Sequence, residues 1–212
     1  STGDVDVSNA STGSIDIVSA GFAVGIFARA DYGTATIVNS GDISASVFPD
    51  TGYQGDVAYG LLATSDYGYA AAGNSGGIQV DGYYTATGIA ARSLLGSTVS
   101  TAAGSHINAT AYYVAIGIEG RAEGGDVTVG SAGDITTAGG YGSVGIQAYS
   151  AMGDVTVGNT GHISAASGYG IAIGATAYTM DGLATVTNNG LVEADGAMAS
   201  YGILAQAYAG DV

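Results

Sequence analysis

The chain has 212 residues, 38 of them glycine, and its 18 acidic residues face three arginines and no lysine, for a formal net charge of −15. So few cations exclude nucleic acid as a main partner and disfavour an anionic membrane surface, while the absence of cysteine excludes a disulfide scaffold, thiolate metal sites and thiol catalysis. Hydrophobic content of 47% is too high for a disordered chain, and a single proline, with glycine off any three-residue period, excludes collagen.

Along the chain, Gly25, Gly60, Gly88, Gly117, Gly145, Gly174 and Gly202 are each followed eight residues later by another glycine. Between these pairs runs a second landmark: Ile15, Ile43, Ile78, Ile107, Ile135, Ile163 and Val192. Together they define a repeat of about 28 residues, with units starting at Gly3, Gly33, Gly68, Gly96, Gly125, Gly153 and Gly182. Departures are local insertions. The largest adds seven residues between Ile43 and Gly60 and contains Pro49.

Each unit holds three short alternating segments of four to six residues. In the fifth unit Val127 and Val129 alternate with Asp126 and Thr128, Ile135 and Thr137 with Asp134 and Thr136, and Ile146 and Ala148 with Gln147 and Tyr149. A period of two predicts strands with one buried face, and glycine is too frequent for helices. Three short strands cannot bury their own inner face, but stacked coils can. The expected fold is all-β: a right-handed parallel β-helix of seven coils spanning 1–212 as one solenoid segment, truncated at both ends from a longer protein. Alanines in the third segment (Ala28, Ala63, Ala91, Ala148, Ala177, Ala205) predict a narrow interior there. Glycines at the corners are expected to supply sharp bends or positive φ. Asn39, Asn74, Asn159 and Asn188 share one turn position and predict a stacked amide ladder.

The run from Asp154 to Ala165 reads D-V-T-V-G-N-T-G-H-I-S-A, and several units close with G-I-x-A. Units of this form resemble the β-helical passenger region of bacterial autotransporters, adhesin type, and the likeness extends over the whole chain. The resemblance implies a Gram-negative secreted or surface-displayed β-helix, normally followed by a membrane barrel. It implies an extracellular location and a scaffold motif with no catalytic residue. Passengers of this kind include adhesins, self-associating biofilm proteins and carriers of enzyme domains.

Stacked columns are the unit in which chemistry is sought. His106, Asp134 and His162 occupy one outward position in successive coils and are weak candidates for a metal or acid–base site, against a solvated column of imidazoles paired with carboxylates. Asp126 and Asp154 stack likewise, with Asp4 and Asp211 at the same position; solvent screening is the expected answer to their repulsion, and bound Ca²⁺ the alternative. Arg29, Arg92 and Arg121 form a column holding every cation of the chain, read either as local charge balance or as a contact for an acidic partner. Tyr83, Tyr84, Tyr112, Tyr113, Tyr141 and Tyr169 recur at one loop in four coils, with Tyr53 and Tyr59 in the insertion one coil earlier. An exposed tyrosine stripe offers stacking surface and hydroxyl donors, or its rings simply pack on each other. Thr36, Thr128, Thr156 and Thr185 form an outward column.

The expected function is structural and adhesive, through adhesion or cell–cell self-association, with the insertion from Ser44 to Tyr59 as the recognition element. Expected partners are like copies of the chain or host surface and matrix glycans or proteins. No nucleic acid, no cofactor and no direct membrane insertion by this segment are expected. The alternatives are a polysaccharide-active β-helix enzyme using His106, Asp134 and His162, and a passive spacer. Open strand edges on coils one and seven predict head-to-tail stacking at high concentration.

Overall fold

The structure, a computed structural model, describes residues 2–48 and 56–209. Among these are twenty-one strands and no helix, arranged as seven coils of three. Coil one comprises Val5–Asn9, Ser14–Ser19 and Phe22–Ala30; coil seven comprises Ala184–Asn188, Val192–Gly196 and Ala199–Ala207. Equivalent strands pair in parallel into three seven-stranded sheets, A, B and C in the order the chain meets them. The protein is therefore a three-sided parallel β-solenoid, as the repeat predicts. At about 4.8 Å per coil it is roughly 34 Å long.

The register is the one the landmarks require. Ile15, Ile43, Ile78, Ile107, Ile135, Ile163 and Val192 pair in succession down sheet B. The insertion around Pro49 lies mostly outside the described residues, and the chain re-enters in phase, with Ile26 opposite Leu61. Isoleucine and valine from sheets A and B fill the interior against alanine from sheet C: Ile37, Val99, Ile107, Val129 and Ile135 are buried, as are Ala28, Ala63, Ala91, Ala148 and Ala177. Inward residues of the end coils, such as Val5 and Val192, are only partly buried, and Ile203 is exposed, because each has a neighbouring coil on one side alone.

The third strand departs from expectation. It is nine residues long rather than four to six, and the first glycine landmark lies in its middle, not at a corner. Alternation changes phase there, so that Ala23 and Ile26, three residues apart, both point inward. The glycine is needed for close approach. A Cβ on Gly145 would stand 2.5 Å from the Gly174 carbonyl oxygen and overlap the Ile163 side chain.

The corners also correct the expectation. Among the described residues φ is positive only at Gly96, Gly104 and Gly182, and only Gly104, at 84°, is well inside the left-handed region. Corner glycines such as Gly68 and Gly161 instead abut the glycine carbonyl of the coil before them, Gly33 and Gly133, leaving no room for a side chain.

The amide ladder is present and one member longer than expected. Asn9 Nδ2 donates to Asn39 Oδ1 at 2.9 Å, Asn39 Nδ2 to Asn74 Oδ1 at 2.7 Å, and Asn159 Nδ2 to Asn188 Oδ1 at 2.8 Å. Each of Asn39, Asn74, Asn159 and Asn188 also donates to the glycine carbonyl two residues on, closing its own turn. Thr101 and Ser131 interrupt the ladder and bond each other at 3.0 Å. In consequence Asn159 Oδ1 is buried without a partner.

Candidate functional site

The histidine–aspartate column does stack, with His106 opposite Asp134 in the register. Its members are tied off in pairs. His106 Nδ1 lies 3.7 Å from Asp134 Oδ2, and His162 Nε2 lies 2.9 Å from Glu193 Oε2. Asp134 Oδ1 accepts the backbone N–H of His162 at 3.3 Å. Among the described residues no three histidine or carboxylate groups converge as a metal site would require. An open hollow of about 450 Å³ beside His106 includes one carboxylate, Asp42, and that group accepts the Gly77 N–H at 3.1 Å.

The aspartate column has a role that sequence reasoning missed. Asp4 Oδ1 accepts the N–H of Thr34 at 2.7 Å, Asp126 Oδ1 that of Asp154 at 2.9 Å, and Asp154 Oδ1 that of Leu183 at 2.9 Å. Each carboxylate thus satisfies a corner amide of the next coil, where no strand partner is available. Hydrogen bonding to backbone amides thus accompanies the close approach of like charges in this exposed column. Asp211 lies outside the described residues.

The tyrosines form a continuous ridge at the corner between sheets B and C. Tyr83 stacks on Tyr112 with ring centroids 5.2 Å apart and planes 6° from parallel, and Tyr113 stacks on Tyr141 at 5.2 Å and 19°. Tyr84 leans on Tyr113 at 5.0 Å and Tyr169 on Tyr141 at 5.8 Å. Tyr112, Tyr141 and Tyr169 are exposed. Because the rings cover one another's faces, the ridge presents edges and hydroxyls along its length. Packing and exposure, set against each other in the sequence reading, coexist here.

Two tyrosines do not belong to the ridge. Tyr53 lies outside the described residues, and Tyr59 is a buried member of the strand Val57–Ser65, on the outer face of sheet C rather than in a loop. Its ring lies beneath the Arg92 guanidinium, 5.3 Å from the centroid, and edge-on to Phe22.

The arginine column runs along the outer face of sheet C, and every member is paired. Arg29 bonds Asp66 at 2.8 Å, Arg92 makes a two-pronged contact with Glu119, and Arg121 bonds Glu123 at 2.8 Å while lying over the Tyr149 ring. Burial opposes the charge of Arg92, but the Glu119 hydrogen bond and Coulomb attraction outweigh it and hold its pKa above the ordinary arginine value. Local charge balance describes this column. A shallow hollow of about 460 Å³ lies over it, bounded by Asp66, Glu119 and Glu123 as well as Arg92 and Arg121.

The structure exposes one further feature. The first and third positions of every sheet C strand point outward, and across seven coils none is charged: Val114, Ile116, Val144, Ile171, Ile173 and Tyr201 are members. The signal was in the sequence as apolar residues on both phases of the third segment, which a search for one-faced alternation passes over. The threonine column of sheet A likewise gains a member, since Thr98 pairs with Thr128.

Comparison with family models, with curated proteins and with solved structures found no match to this chain.

Proposed function

We propose that this chain is an adhesive, self-associating rod segment of an extracellular, surface-displayed protein of the autotransporter passenger kind. Its contacts are made through side surfaces of the solenoid. The observation that carries the reading is the tyrosine ridge, a stacked row of rings spanning four coils and exposed at Tyr112, Tyr141 and Tyr169. Tyrosine supplies large contact area with little side-chain entropy to lose, and its hydroxyl suits partners rich in amides or hydroxyls. The resemblance of the repeat to that of passenger domains supports the extracellular setting. The stack of seven coils gives the rigidity a displayed contact surface needs.

The test is capture on a surface coated with the chain. Soluble copies of the chain, matrix proteins and a panel of glycans are passed over it. Tyr112→Ser, Tyr141→Ser and Tyr169→Ser combined should reduce capture by at least roughly tenfold, because each removes an exposed ring. Capture of nothing by the unaltered chain would leave a passive spacer; capture indifferent to the triple substitution would remove the ridge from the contact surface.

A further inference from the structure

The two groups of residues singled out by the sequence flank one surface. The tyrosine ridge ends where sheet C begins: Tyr84, Tyr113 and Tyr141 directly precede the strands Thr85–Ser93, Val114–Ala122 and Gly142–Ser150. The arginine column is the eighth position of the sheet C strands, held by Arg29, Arg92 and Arg121 in coils one, three and four and by Tyr149, Tyr178 and Gln206 in coils five to seven. Between these margins lies the outer face, uncharged at its first and third positions and carrying Glu119 at the sixth position of coil four. The distribution of charge isolates this side of the solenoid. In coils four to seven the strands of sheet C hold Arg121 against Glu119, a net of zero, in a chain of net −15, whereas those of sheet B hold Asp134, Glu193 and Asp195. Two such acidic chains therefore approach through sheet C with less repulsion than through sheet B.

We infer that coils four to seven of sheet C form a face-to-face contact with the same face of a second copy, related by a two-fold axis parallel to the solenoid axis. That operator sets equal coils side by side with their strands antiparallel, so the ridge margin of each copy meets the arginine margin of the other. The margins are complementary coil by coil. Arg121 of coil four meets the hydroxyl margin of Tyr112 and Tyr113 of the second copy, its N–H groups facing phenol oxygens. Tyr149 of coil five meets Tyr141, and Tyr178 of coil six meets Tyr169. Between them Ile116, Val144 and Ile173 lie opposite the outward sixth positions of the facing strands, Glu119, Gln147 and Thr176, and pack along the aliphatic parts of those side chains. A two-fold reversing the solenoid axis would instead set ridge against ridge and place Arg121 opposite Gln206 of coil seven. At coils two and three the central positions, Tyr59, Leu62, Thr87 and Ala90, are already buried, so the free strip begins at coil four. Four coils of eight residues cover roughly 19 × 23 Å, about 440 Å² per copy. That is the size of a weak, transient interface.

This inference rests on the self-association reading and is tested by sedimentation of the 212-residue chain up to roughly 1 mM, where weak contacts register. A monomer–dimer equilibrium is expected. Val144→Glu with Ile173→Glu should weaken it by roughly 100-fold, as buried unpaired charges do. Arg121→Tyr should weaken it too, and adding Tyr112→Arg to the same chain should restore it, because the two-fold brings those positions together. A monomer at every concentration, a dimer indifferent to Val144→Glu with Ile173→Glu, or no recovery in the swapped chain overturns the inference. Self-capture on the coated surface separates the two readings. If the Val144→Glu, Ile173→Glu chain is captured like the unaltered one, sheet C is not the contact, while adhesion stands. If the unaltered chain dimerises in solution yet neither self nor any other partner is captured, adhesion fails and the dimer stands.

Discussion

Replacing Asn39 by alanine tests whether the amide ladder holds the coils together. Asn39 is buried and joins three hydrogen bonds: it accepts from Asn9 and donates to Asn74 and to the Gly41 carbonyl. Each is worth about 1 kcal/mol net, and leaving Asn74 Oδ1 without its donor adds about 1 kcal/mol or more. The expected loss is about 4 kcal/mol, or about 8–16 °C in Tm for a chain of this size. Asn188, at the end of the ladder and partly exposed, loses only its contacts with Asn159 and Gly190, so Asn188→Ala should cost about 2 kcal/mol. Denaturant titration gives both values. Hydrogen exchange gives the location, because coils of a solenoid interact with nearest neighbours. The Ser40 and Ser75 amides, bonded to the Asn9 and Asn39 carbonyls, should exchange faster in Asn39→Ala, and the Asn189 amide in coil seven should not. Equal losses for the two substitutions, or a loss below about 1 kcal/mol at Asn39, would refute the ladder as a source of stability.

Completing the ladder should have the opposite sign. Thr101→Asn with Ser131→Asn supplies Asn159 Oδ1 with a donor and should raise stability by about 1–2 kcal/mol in the same titration. Gly145→Ala forces a methyl group against Ile163 and the Gly174 carbonyl and should cost about 3 kcal/mol, with Ile163→Ala recovering little because the carbonyl stays in place. Asp154→Ala deprives the Leu183 amide of its acceptor and should cost about 1 kcal/mol, whereas Asp154→Asn keeps an acceptor, removes a charge beside Asp126 and should match or exceed the parent at low salt.

What could be read from the sequence is what repeats in side chains. Glycine and isoleucine recur at fixed intervals because every coil must pass one carbonyl at the corner and fill one gap opposite sheet C, so coil number and register followed from spacing. The amide ladder was legible for the same reason, although Asn9, two residues out of step through the insertion at Ser11 and Thr12, was not recognised. The length of the third strand was hidden because Gly145 and its equivalents shift the alternation where it is counted. The role of Asp126 and Asp154 was hidden because their partners are backbone amides, which leave no mark in composition. The outer face of sheet C was hidden because Val144 and Ile146, on opposite sides of the strand, are both apolar, and hydropathy alone does not tell in from out.

The orientation of the inferred contact decides what it does on a surface. A two-fold parallel to the solenoid axis joins rods that point the same way, as neighbours displayed on one surface would, whereas rods on opposed surfaces would point at one another and need the reversed operator that sets ridge against ridge. A contact of about 440 Å² per copy is weak for a free pair. Rods crowded on one surface meet at effective concentrations of the order of millimolar, where such a contact is populated without any added area. Sheet C then pairs rods side by side, with the acidic sheet B and the hydroxyl-bearing sheet A turned outward to any other partner, because a two-fold contact closes at two copies. The acidic charge on both rods limits how closely they approach, and salt should strengthen pairing by screening that repulsion. A pair that dissociated as salt rose would mean that charge pairing between copies, rather than the apolar face, holds it.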